Sequence, residues 1–334
     1  MSRPRLAITM GDVNGVGPEV LAKALARTCV WEDCLPVVIG DAQVLENARQ
    51  FAPGCPRPRL VEHVEEADDS REEVAVMDAG TRAPEVCFGA LDPAAGDCAV
   101  EWIRLGVRLA MSKAVDGIVT CPFNKEGIHL AGYAYPGHTE LIAEMTETDD
   151  YRMCLFTRTL RVVHITSHMA LSEALAAVRA PRIIKSVQLG RQALEDLGIE
   201  RKRIAVAGLN PHAGEAGAFG MEEVLEIRPA VHACQAQGID CSGPHPADTV
   251  FTRMRDGEFD MVIAMYHDQG HTPVKLIAMD EGVNVTLGIP IVRTSVDHGT
   301  AYDIAGKGIA REASLCAAVH LGARFARGER GKNT

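Results

Sequence analysis

Three short apolar runs, each followed by a polar loop that carries a histidine, constrain the fold of this chain more than any other feature. His168, His212 and His267 stand just past the ends of these runs. If the runs form parallel strands of one sheet, their carboxyl ends share the edge where open α/β sheets bind ligands, and the three imidazoles can converge there. The runs have the length and β-branched content of buried strands, and they cover residues 160–166, 204–209 and 261–266.

A convergence of three neutral imidazoles is typical of a catalytic divalent-metal site, whereas closed structural sites usually recruit thiolates. A single histidine after a strand is more often only a polar residue at a sheet edge. Three in equivalent places are harder to explain in that way, so the sequence predicts one divalent ion per subunit. Imidazoles suit zinc, cobalt and manganese, and oxygen atoms of a substrate would also allow magnesium.

His267 and His271 have the spacing of the histidine pair that zinc peptidases carry on a helix. Gly270 inside the pair and Pro273 just after it favour a loop instead. No glutamate occupies the position of the peptidase general base. The sequence therefore argues against a peptidase.

The composition bounds the class of protein. A length of 334 residues suggests two domains, and the net charge of -11 argues against non-specific binding of nucleic acid. No apolar stretch approaches the roughly 18 residues that span a bilayer. The ten cysteines are scattered, none forms a Cys-x-x-Cys pair, and no signal peptide precedes them. Reduced thiols and a cytoplasmic location are expected.

The rest of the chain alternates strand and helix patterns. A strand over residues 6–10 leads into a glycine-rich turn and a helix that begins at Pro18. Residues 52–69 are predicted to be a surface excursion without a core element. The alternation predicts an α/β fold of two α/β/α domains with mixed, mostly parallel sheets. Further strands are predicted over 36–39, 74–77 and 117–120, and helices over 98–114, from His138, and over 181–197, 221–237 and 313–327.

A phosphate site is indicated where His138 and Thr139 open a helix after Pro136-Gly137, since free amides and the helix dipole favour an anion there. An ordinary threonine cap explains this segment equally well. Lys275, Asn284 and Arg293 lie near predicted strands or turns, and arginine suits phosphate geometry, which favours the phosphate site. The turn over residues 11–17 fits neither the dinucleotide nor the Walker pattern and needs its glycines for backbone reasons.

With these segments, the chain resembles the 4-hydroxythreonine-4-phosphate dehydrogenase family of vitamin B6 biosynthesis from about Leu6 to the last helix. The motifs that carry the resemblance are Thr9-Met10-Gly11-Asp12, Gly15-Val16-Gly17-Pro18-Glu19, Pro136-Gly137-His138-Thr139-Glu140, Leu209-Asn210-Pro211-His212-Ala213-Gly214-Glu215, Ala247-Asp248-Thr249, Met265-Tyr266-His267-Asp268-Gln269-Gly270 and Arg293-Thr294-Ser295-Val296-Asp297-His298-Gly299-Thr300-Ala301.

The resemblance implies a metal-dependent oxidative decarboxylation with NAD or NADP, on a fold related to isocitrate and isopropylmalate dehydrogenases. It places the active site in a cleft between a first domain of residues 1–130 plus 299–334 and a second domain of residues 131–298. It also implies a homodimer whose subunits share the active site. The family's metal ligands fall on His168, His212 and His267, and its substrate contacts on His138, Thr139, Lys275, Asn284 and Arg293.

Four further residues are assigned by their positions after strand-like or turn segments. Asp248 and Asp268 are expected to handle a proton or to orient a metal-bound imidazole. Asp297 and His298 are expected near the cofactor. The sequence does not name the general base, and it leaves NAD and NADP open because the acidic ribose signature belongs to a Rossmann motif that this chain lacks.

The substrate is open among branches of the family. Residues 124–126, 135–138 and 270–273 look closer to a branch that acts on D-threonate or D-erythronate 4-phosphate, and a third branch oxidises cis-dihydrodiol dicarboxylates such as the terephthalate diol. The set of His138, Thr139, Asn284 and Arg293 favours a phosphorylated substrate. Val13-Asn14 departs from the family's usual Pro-Ala, which puts the shape of the first turn in doubt.

Two readings from other functional classes use the same residues. The histidines could activate water in a metal-dependent hydrolase or lyase, which turnover without nicotinamide would reveal. The fold could also serve as a ligand-binding module, since fold alone does not fix function. Binding of metal and phosphate ester without turnover would favour that module.

Overall fold

Twelve strands alternate with helices along residues 3–332, the part of the chain that the computed structural model describes. The chain forms two units. The first consists of the residues up to Asp149 together with those from Ile289 onward, and the second consists of Asp150–Gly288. These bounds differ from the predicted domains, because residues 131–149 and 289–298 lie in the first unit. The first of these segments carries a helix that packs on another helix of the first unit, and the second carries a strand that pairs with a strand of that unit.

All strand pairs of the first unit are parallel, and the order across the sheet is β3-β4-β2-β1-β5-β12. Parallel strands that helices cover are buried on both faces, which explains the nearly continuous apolar sequences of β1, β2 and β4. The strands are β1 (Arg5–Thr9), β2 (Leu35–Ile39), β3 (Arg57–Leu60), β4 (Glu73–Met77), β5 (Gly117–Thr120) and β12 (Arg293–Val296).

The starts of α1 and α6 agree with the sequence prediction, whereas the helix predicted over 98–114 runs from Pro93 to Met111. Pro18 occupies the first turn of α1, and Asp92 caps α4 through a hydrogen bond from the amide of Ala94. Trp102 on α4 is fully buried. The helices are α1 (Gly17–Leu25), α2 (Thr28–Asp33), α3 (Ala42–Ala48), α4 (Pro93–Met111), α5 (Lys125–Leu130), α6 (His138–Met145) and α12 (Ala313–Lys332).

The second unit has the strand order β11-β6-β7-β10-β8-β9. β10 is parallel to both β7 and β8, and β8 is parallel to β9, whereas β6 is antiparallel to β7 and to β11. The α/β class with a mixed, mostly parallel arrangement is therefore confirmed. The strands are β6 (Arg152–Phe156), β7 (Arg161–His164), β8 (Ile204–Ala207), β9 (Cys241–His245), β10 (Met261–Ala264) and β11 (Val283–Leu287).

The core of the second unit lies where β7, β8 and β10 meet α10 and α11. Its buried side chains include Leu155, Val162, Phe251, Val262 and Val274. The helices are α7 (Leu171–Ala177), α8 (Ala180–Asp196), α9 (Arg228–Ala236), α10 (Ala247–Arg255) and α11 (His267–Ala278).

The loop predicted around His267 and His271 is wrong, because both residues lie in α11, which continues through Pro273. Proline removes one backbone donor from a helix interior. The fully buried Val274 shows that tertiary packing holds this helix despite that loss.

Two other predictions need correction. Residues 52–69 contain β3, whose exposed and half-buried side chains match an edge strand, so the sequence lacked the apolar pattern that would have revealed it. The helix predicted over 221–237 is a π-helical turn, Glu223–Ile227, followed by α9. No helix in the described residues is both long and apolar enough to cross a membrane.

Candidate functional site

The strands that precede the three predicted metal histidines are neighbours. β10 lies between β7 and β8 and is parallel to both. Parallel strands end at a common edge, so the segments that follow these strands and contain His168, His212 and His267 all leave the same edge of the sheet. This confirms the arrangement of strands that the apolar runs predicted.

Two of these histidines approach each other. The ring centroids of His168 and His267 are 5.8 Å apart, and both residues line a cavity of about 350 Å³ together with Ser167, Tyr266 and Asp268. His168 is exposed, and His267 is half-buried. The cavity therefore brings two imidazoles and a carboxylate to the carboxyl ends of β7 and β10.

Asp268 fixes the ring of His267. Its Oδ1 lies 2.6 Å from Nδ1 of His267, while its side chain remains 79% exposed. A carboxylate accepts a hydrogen bond, so Nδ1 carries the proton and Nε2 has the lone pair that could bind a metal. This contact matches one of the two roles predicted for Asp268, the orientation of an imidazole.

Two histidines without a predicted role, His271 and His164, support His267 from within the second unit. His271 stacks on His267 with ring centroids 3.6 Å apart, and its Nδ1 is 3.1 Å from Nε2 of His164. Burial, with smaller effects of His271 and the other histidines, holds the pKa of His164 well below its ordinary value of 6.5. His164 is therefore neutral and supports the neighbouring rings as a packed, hydrogen-bonding group. The spacing of four residues between His267 and His271 was the sequence feature that could have indicated this ring contact on a helix.

His212 lies in an unusual backbone segment. Residues 212–216 all have positive φ, and His212 itself has φ 53° and ψ 29°. Left-handed conformation costs free energy for residues other than glycine, so the surroundings must hold this turn. His212 is exposed, and its ring lies 6.2 Å from that of Phe219.

A buried carboxylate holds the start of this turn. Glu223, 1% exposed, accepts hydrogen bonds from the amides of Leu209 and Asn210 at 2.8 and 2.6 Å and from Nδ2 of Asn210 at 2.9 Å. A β-carbon on Gly214 would come within 2.5 Å of the same carboxylate. The Glu223 side chain therefore sets the path of the chain that leads to His212.

The side chains at this edge of the sheet provide some of the ligands that a divalent metal needs. His168 and His267 present imidazoles to one cavity, and the Asp268 contact leaves Nε2 of His267 as a ligand atom. Among residues 3–328, whose side chains the structure describes, no three His, Cys, Asp or Glu side chains are arranged to hold an ion together. His212 shares the edge of the sheet but does not complete a three-ligand group with the other two.

A second group of predicted residues, His138, Thr139 and Arg293, lies around the start of α6 in the first unit, and this place is called the anion pocket below. His138 begins α6, its ring stacks on Phe123 with centroids 3.8 Å apart, and its Nε2 donates to the carbonyl oxygen of Cys121 at 3.2 Å. Burial, and then the charge of Arg293, lowers the pKa of His138 well below 6.5. The ring is neutral, and its Nδ1 is an acceptor unless a proton arrives with the ligand.

Arg293 supplies the charge of this pocket. It is 3% exposed and donates from Nη2 to Oγ1 of Thr120 at 2.9 Å. Burial lowers its pKa to about 10, and the charge of Glu140 opposes that shift. A guanidinium that stays cationic while removed from water is a strong partner for a dianionic phosphate. Lys125, which the sequence analysis did not assign, adds a second positive charge near His138.

The other predicted substrate residues have separate positions. Thr139 lies in the first turn of α6 beside His138, where backbone amides favour an anion. Lys275 is half-buried in α11 of the second unit, and Asn284 lies on β11 of the same unit. Oδ1 of Asn284 is buried without a hydrogen-bond partner among the described residues, as expected of an atom that a ligand completes.

The remaining predicted residues lie at element ends. Asp248 is exposed in the first turn of α10. The amide of Asp297 donates to Oγ of Ser314 at 3.4 Å, and the exposed His298 donates from Nδ1 to the carbonyl oxygen of Gly299 at 2.9 Å. Asp297 and His298 belong to the first unit and Asp248 to the second.

Known proteins with similar sequences and structures match nearly the whole chain. The family described as "Pyridoxal phosphate biosynthetic protein PdxA" matches residues 32–322. A D-threonate 4-phosphate dehydrogenase of Cupriavidus necator is 46% identical over 97% of this chain and 97% of its own length. A 4-hydroxythreonine-4-phosphate dehydrogenase of Desulfosudis oleivorans is 44% identical over 96% of this chain and 95% of its own length.

Structural similarity leads to the same family. A crystal structure of a 4-hydroxythreonine-4-phosphate dehydrogenase from Burkholderia phymatum has a TM-score of 0.85 and 46% identity, and the match covers 97% of this chain and 99% of that one. Together with the strand-end histidines and the buried arginine beside the start of α6, these matches show that the chain belongs to the PdxA family.

Proposed function

We propose that this protein is a dehydrogenase that oxidises and decarboxylates a 4-phosphorylated 3-hydroxy acid, with NAD or NADP as the hydride acceptor. The candidate substrates are D-threonate 4-phosphate, D-erythronate 4-phosphate and 4-phosphohydroxythreonine. The names of the similar proteins support this substrate class. The proposal includes a cytoplasmic homodimer whose subunits share the active site.

The observation that carries the proposal is the burial of Arg293 in the anion pocket. Arg293 is 3% exposed, and the fork of donors on its guanidinium suits a phosphate group. Thr139 and the first turn of α6 add a hydroxyl and backbone amides to the same pocket. The imidazole of His138, whose N–H donates to Cys121, would donate to the phosphate once it gains a second proton. These groups would hold the phosphate and so restrict the orientation of the substrate, which is a positioning role. Lys275 and Asn284 would contact other polar groups of the substrate.

His168, His212 and His267 would hold the divalent ion, which can be zinc, magnesium, cobalt or manganese. When bound, such an ion supplies Lewis-acid chemistry for oxidation at a hydroxyl and for loss of carbon dioxide from the resulting 3-oxo acid. Asp268 keeps the proton on Nδ1 of His267, which leaves the lone pair of Nε2 for the ion. Asp248 is proposed to handle the substrate proton, and Asp297 and His298 to lie near the nicotinamide cofactor.

The experiment is the reduction of NAD and NADP by the metal-loaded protein with each of the three phosphorylated acids, in parallel with an EDTA control. We expect turnover with at least one of them and its loss in EDTA. Preference for the amino acid would assign the protein to vitamin B6 synthesis, and preference for a sugar acid to carbon catabolism.

Other outcomes separate the competing functions. Turnover of the unphosphorylated terephthalate dihydrodiol alone would favour the dihydrodiol branch and contradict the role of Arg293. Turnover that needs metal but no nicotinamide would indicate a hydrolase or lyase. Binding of metal and phosphate ester without turnover on any candidate would indicate a ligand-binding module. A fully active His212→Ala variant free of metal would contradict the metal-dependent dehydrogenase.

A further inference from the structure

The backbone of Met265 lies where two strand ladders of the second unit stop. Pairing of β10 with β7 ends at Ala264 and His164, and pairing of β10 with β8 ends at Ile263 and Val206. After these positions the strands end, and the segments that contain His168, His212 and His267 begin. The backbone groups of Met265 therefore need partners other than the neighbouring strands.

Two buried side chains provide those partners. Oε1 of Gln269 accepts a hydrogen bond from the amide of Met265 at 2.7 Å, and Oγ1 of Thr166 donates to the carbonyl oxygen of Met265 at 2.9 Å. Nε2 of Gln269 also donates to the carbonyl oxygen of Gly208 at 2.8 Å. The side-chain amide of Gln269 thus takes the place of a backbone peptide group and continues the hydrogen bonding between β10 and β8 beyond the end of their ladder.

These three bonds link the three chain segments that lead to His168, His212 and His267. Thr166 lies two residues before His168, Met265 lies two before His267, and Gly208 lies four before His212. A shift of any of the bonded backbones would move a histidine with it, because so few residues lie between.

Burial makes these bonds selective for one geometry. Thr166 is 1% exposed and Gln269 is 9% exposed. Away from water, a polar group that loses its partner is not compensated by solvent, so each bond resists displacement. An exposed pair in the same place would exchange partners with water and would fix the loops less firmly.

We infer that Thr166 and Gln269 are positioning residues that hold the segments leading to His168, His212 and His267 in place for metal binding. This inference rests on the proposed function for the metal. Neither side chain is a proposed ligand. Each acts through the backbone of Met265, and Gln269 also acts through that of Gly208.

The test measures Mn²⁺ and Co²⁺ affinity by isothermal titration calorimetry for Thr166→Val, Thr166→Ser and Gln269→Met. Thr166→Val keeps the β-branched shape but removes the hydroxyl, whereas Thr166→Ser keeps it. We expect affinity to fall about tenfold or more in Thr166→Val and Gln269→Met, as for other groups that orient metal ligands. Thr166→Ser should restore most of that loss.

Two controls separate positioning from general stability. Gln188→Met makes the same chemical change at an exposed glutamine on α8, which bonds Gln237. Ile183→Val lowers stability from a buried position on the same helix. All titrations are run well below the melting temperatures, and both controls should bind metal as the wild type does. A purely structural role of Thr166 and Gln269 would give the same unchanged affinity in their variants.

Hydrogen exchange of the metal-free protein tests the inference apart from the proposed function. In Gln269→Met, the amides of Met265 and of the segment after Gly208 should exchange at least tenfold faster than in the wild type. If the wild type binds no metal, the proposed metal function fails, and this exchange still tests the positioning. If the wild type binds metal, wild-type affinity in both Thr166→Val and Gln269→Met would overturn the inference. If it does not, wild-type exchange in Gln269→Met would overturn it.

Discussion

The imidazole of His271 lies on that of His267, with ring centroids 3.6 Å apart and ring planes at 12°. The two residues are one helical turn apart on α11, and the carbonyl oxygen of His267 is 3.2 Å from Nδ1 of His271. This pair resembles a peptidase metal pair in spacing only. One ring faces the cavity at the sheet edge, and the other contacts the buried His164. His271 therefore supports His267 as a packed neighbour.

This relationship predicts a graded effect on metal binding. His267→Ala should weaken Co²⁺ binding at least 100-fold because a ligand is lost. His271→Ala should weaken it about tenfold, since the ring that orients the ligand is lost. Isothermal titration calorimetry measures both, with His232→Ala on the exposed side of α9 as the control. Equal losses in the first two variants would mean that His271 is itself a ligand.

Arg293→Met should separate ligand binding from stability. Hydrogen bonds to charged groups contribute about 1.5–3 kcal/mol, so affinity for a phosphate ester should fall about 10- to 150-fold. The folded state should lose little, because an apolar side chain of similar size removes a buried charge. Calorimetry and urea unfolding measure the two effects, and Arg108→Met on α4 is the exposed control. Unchanged affinity for the ester would exclude Arg293 from phosphate binding.

Glu223→Gln should destabilise the protein more than Glu222→Gln does. The Glu223 carboxylate is buried and accepts three hydrogen bonds near the start of the His212 turn. Glu222 is half-buried, where water can replace a lost partner, and it accepts from the side chain of Asn210 and from the backbone of residues 221 and 222. An amide has one acceptor oxygen, and its NH₂ group would face a donor. We expect a loss of about 2–3 kcal/mol in the free energy of unfolding for Glu223→Gln and under about 1 kcal/mol for Glu222→Gln. Urea titration checks the order, which equal losses would contradict.

The pH dependence of stability should contain a contribution from His164. Burial keeps the pKa of His164 in the folded state well below 6.5, the ordinary value expected in the unfolded chain. Between these two values the unfolded state binds more protons, so the free energy of unfolding falls as pH falls below 6.5. One proton accounts for at most about 1.4 kcal/mol per pH unit.

His164→Asn removes this proton, while its amide can still donate toward the carbonyl oxygen of Met153, which accepts from Nδ1 of His164 at 3.4 Å. Its unfolding free energy should therefore depend less on pH below 6.5 than that of the wild type. Urea unfolding over a pH series in EDTA provides the measurement, with the exposed His232→Asn as the control. Parallel curves for wild type and His164→Asn would refute the assignment.

Much of the candidate site was predictable because its histidines come shortly after the ends of strands. The apolar runs before His168, His212 and His267 predicted three neighbouring strands, and parallel pairing brought their ends to one edge. The start of α6 at His138 was predictable as well, since Pro136-Gly137 stops one segment and begins the next. These features depend on local sequence, and a period of two or of 3.6 residues encodes them directly.

The sequence by itself determined the alternation of strands and helices and the residues that end them. Tertiary structure alone decided the helix through Pro273, the left-handed turn at His212 and the assignment of residues 131–149 and 289–298 to the first unit. It also decided which polar residues lie inside, such as Glu223 and Gln269. The physical reason is that burial of Val274 and hydrogen bonds between distant backbones outweigh local propensities of about 1–3 kcal/mol. No short stretch of sequence contains those partners.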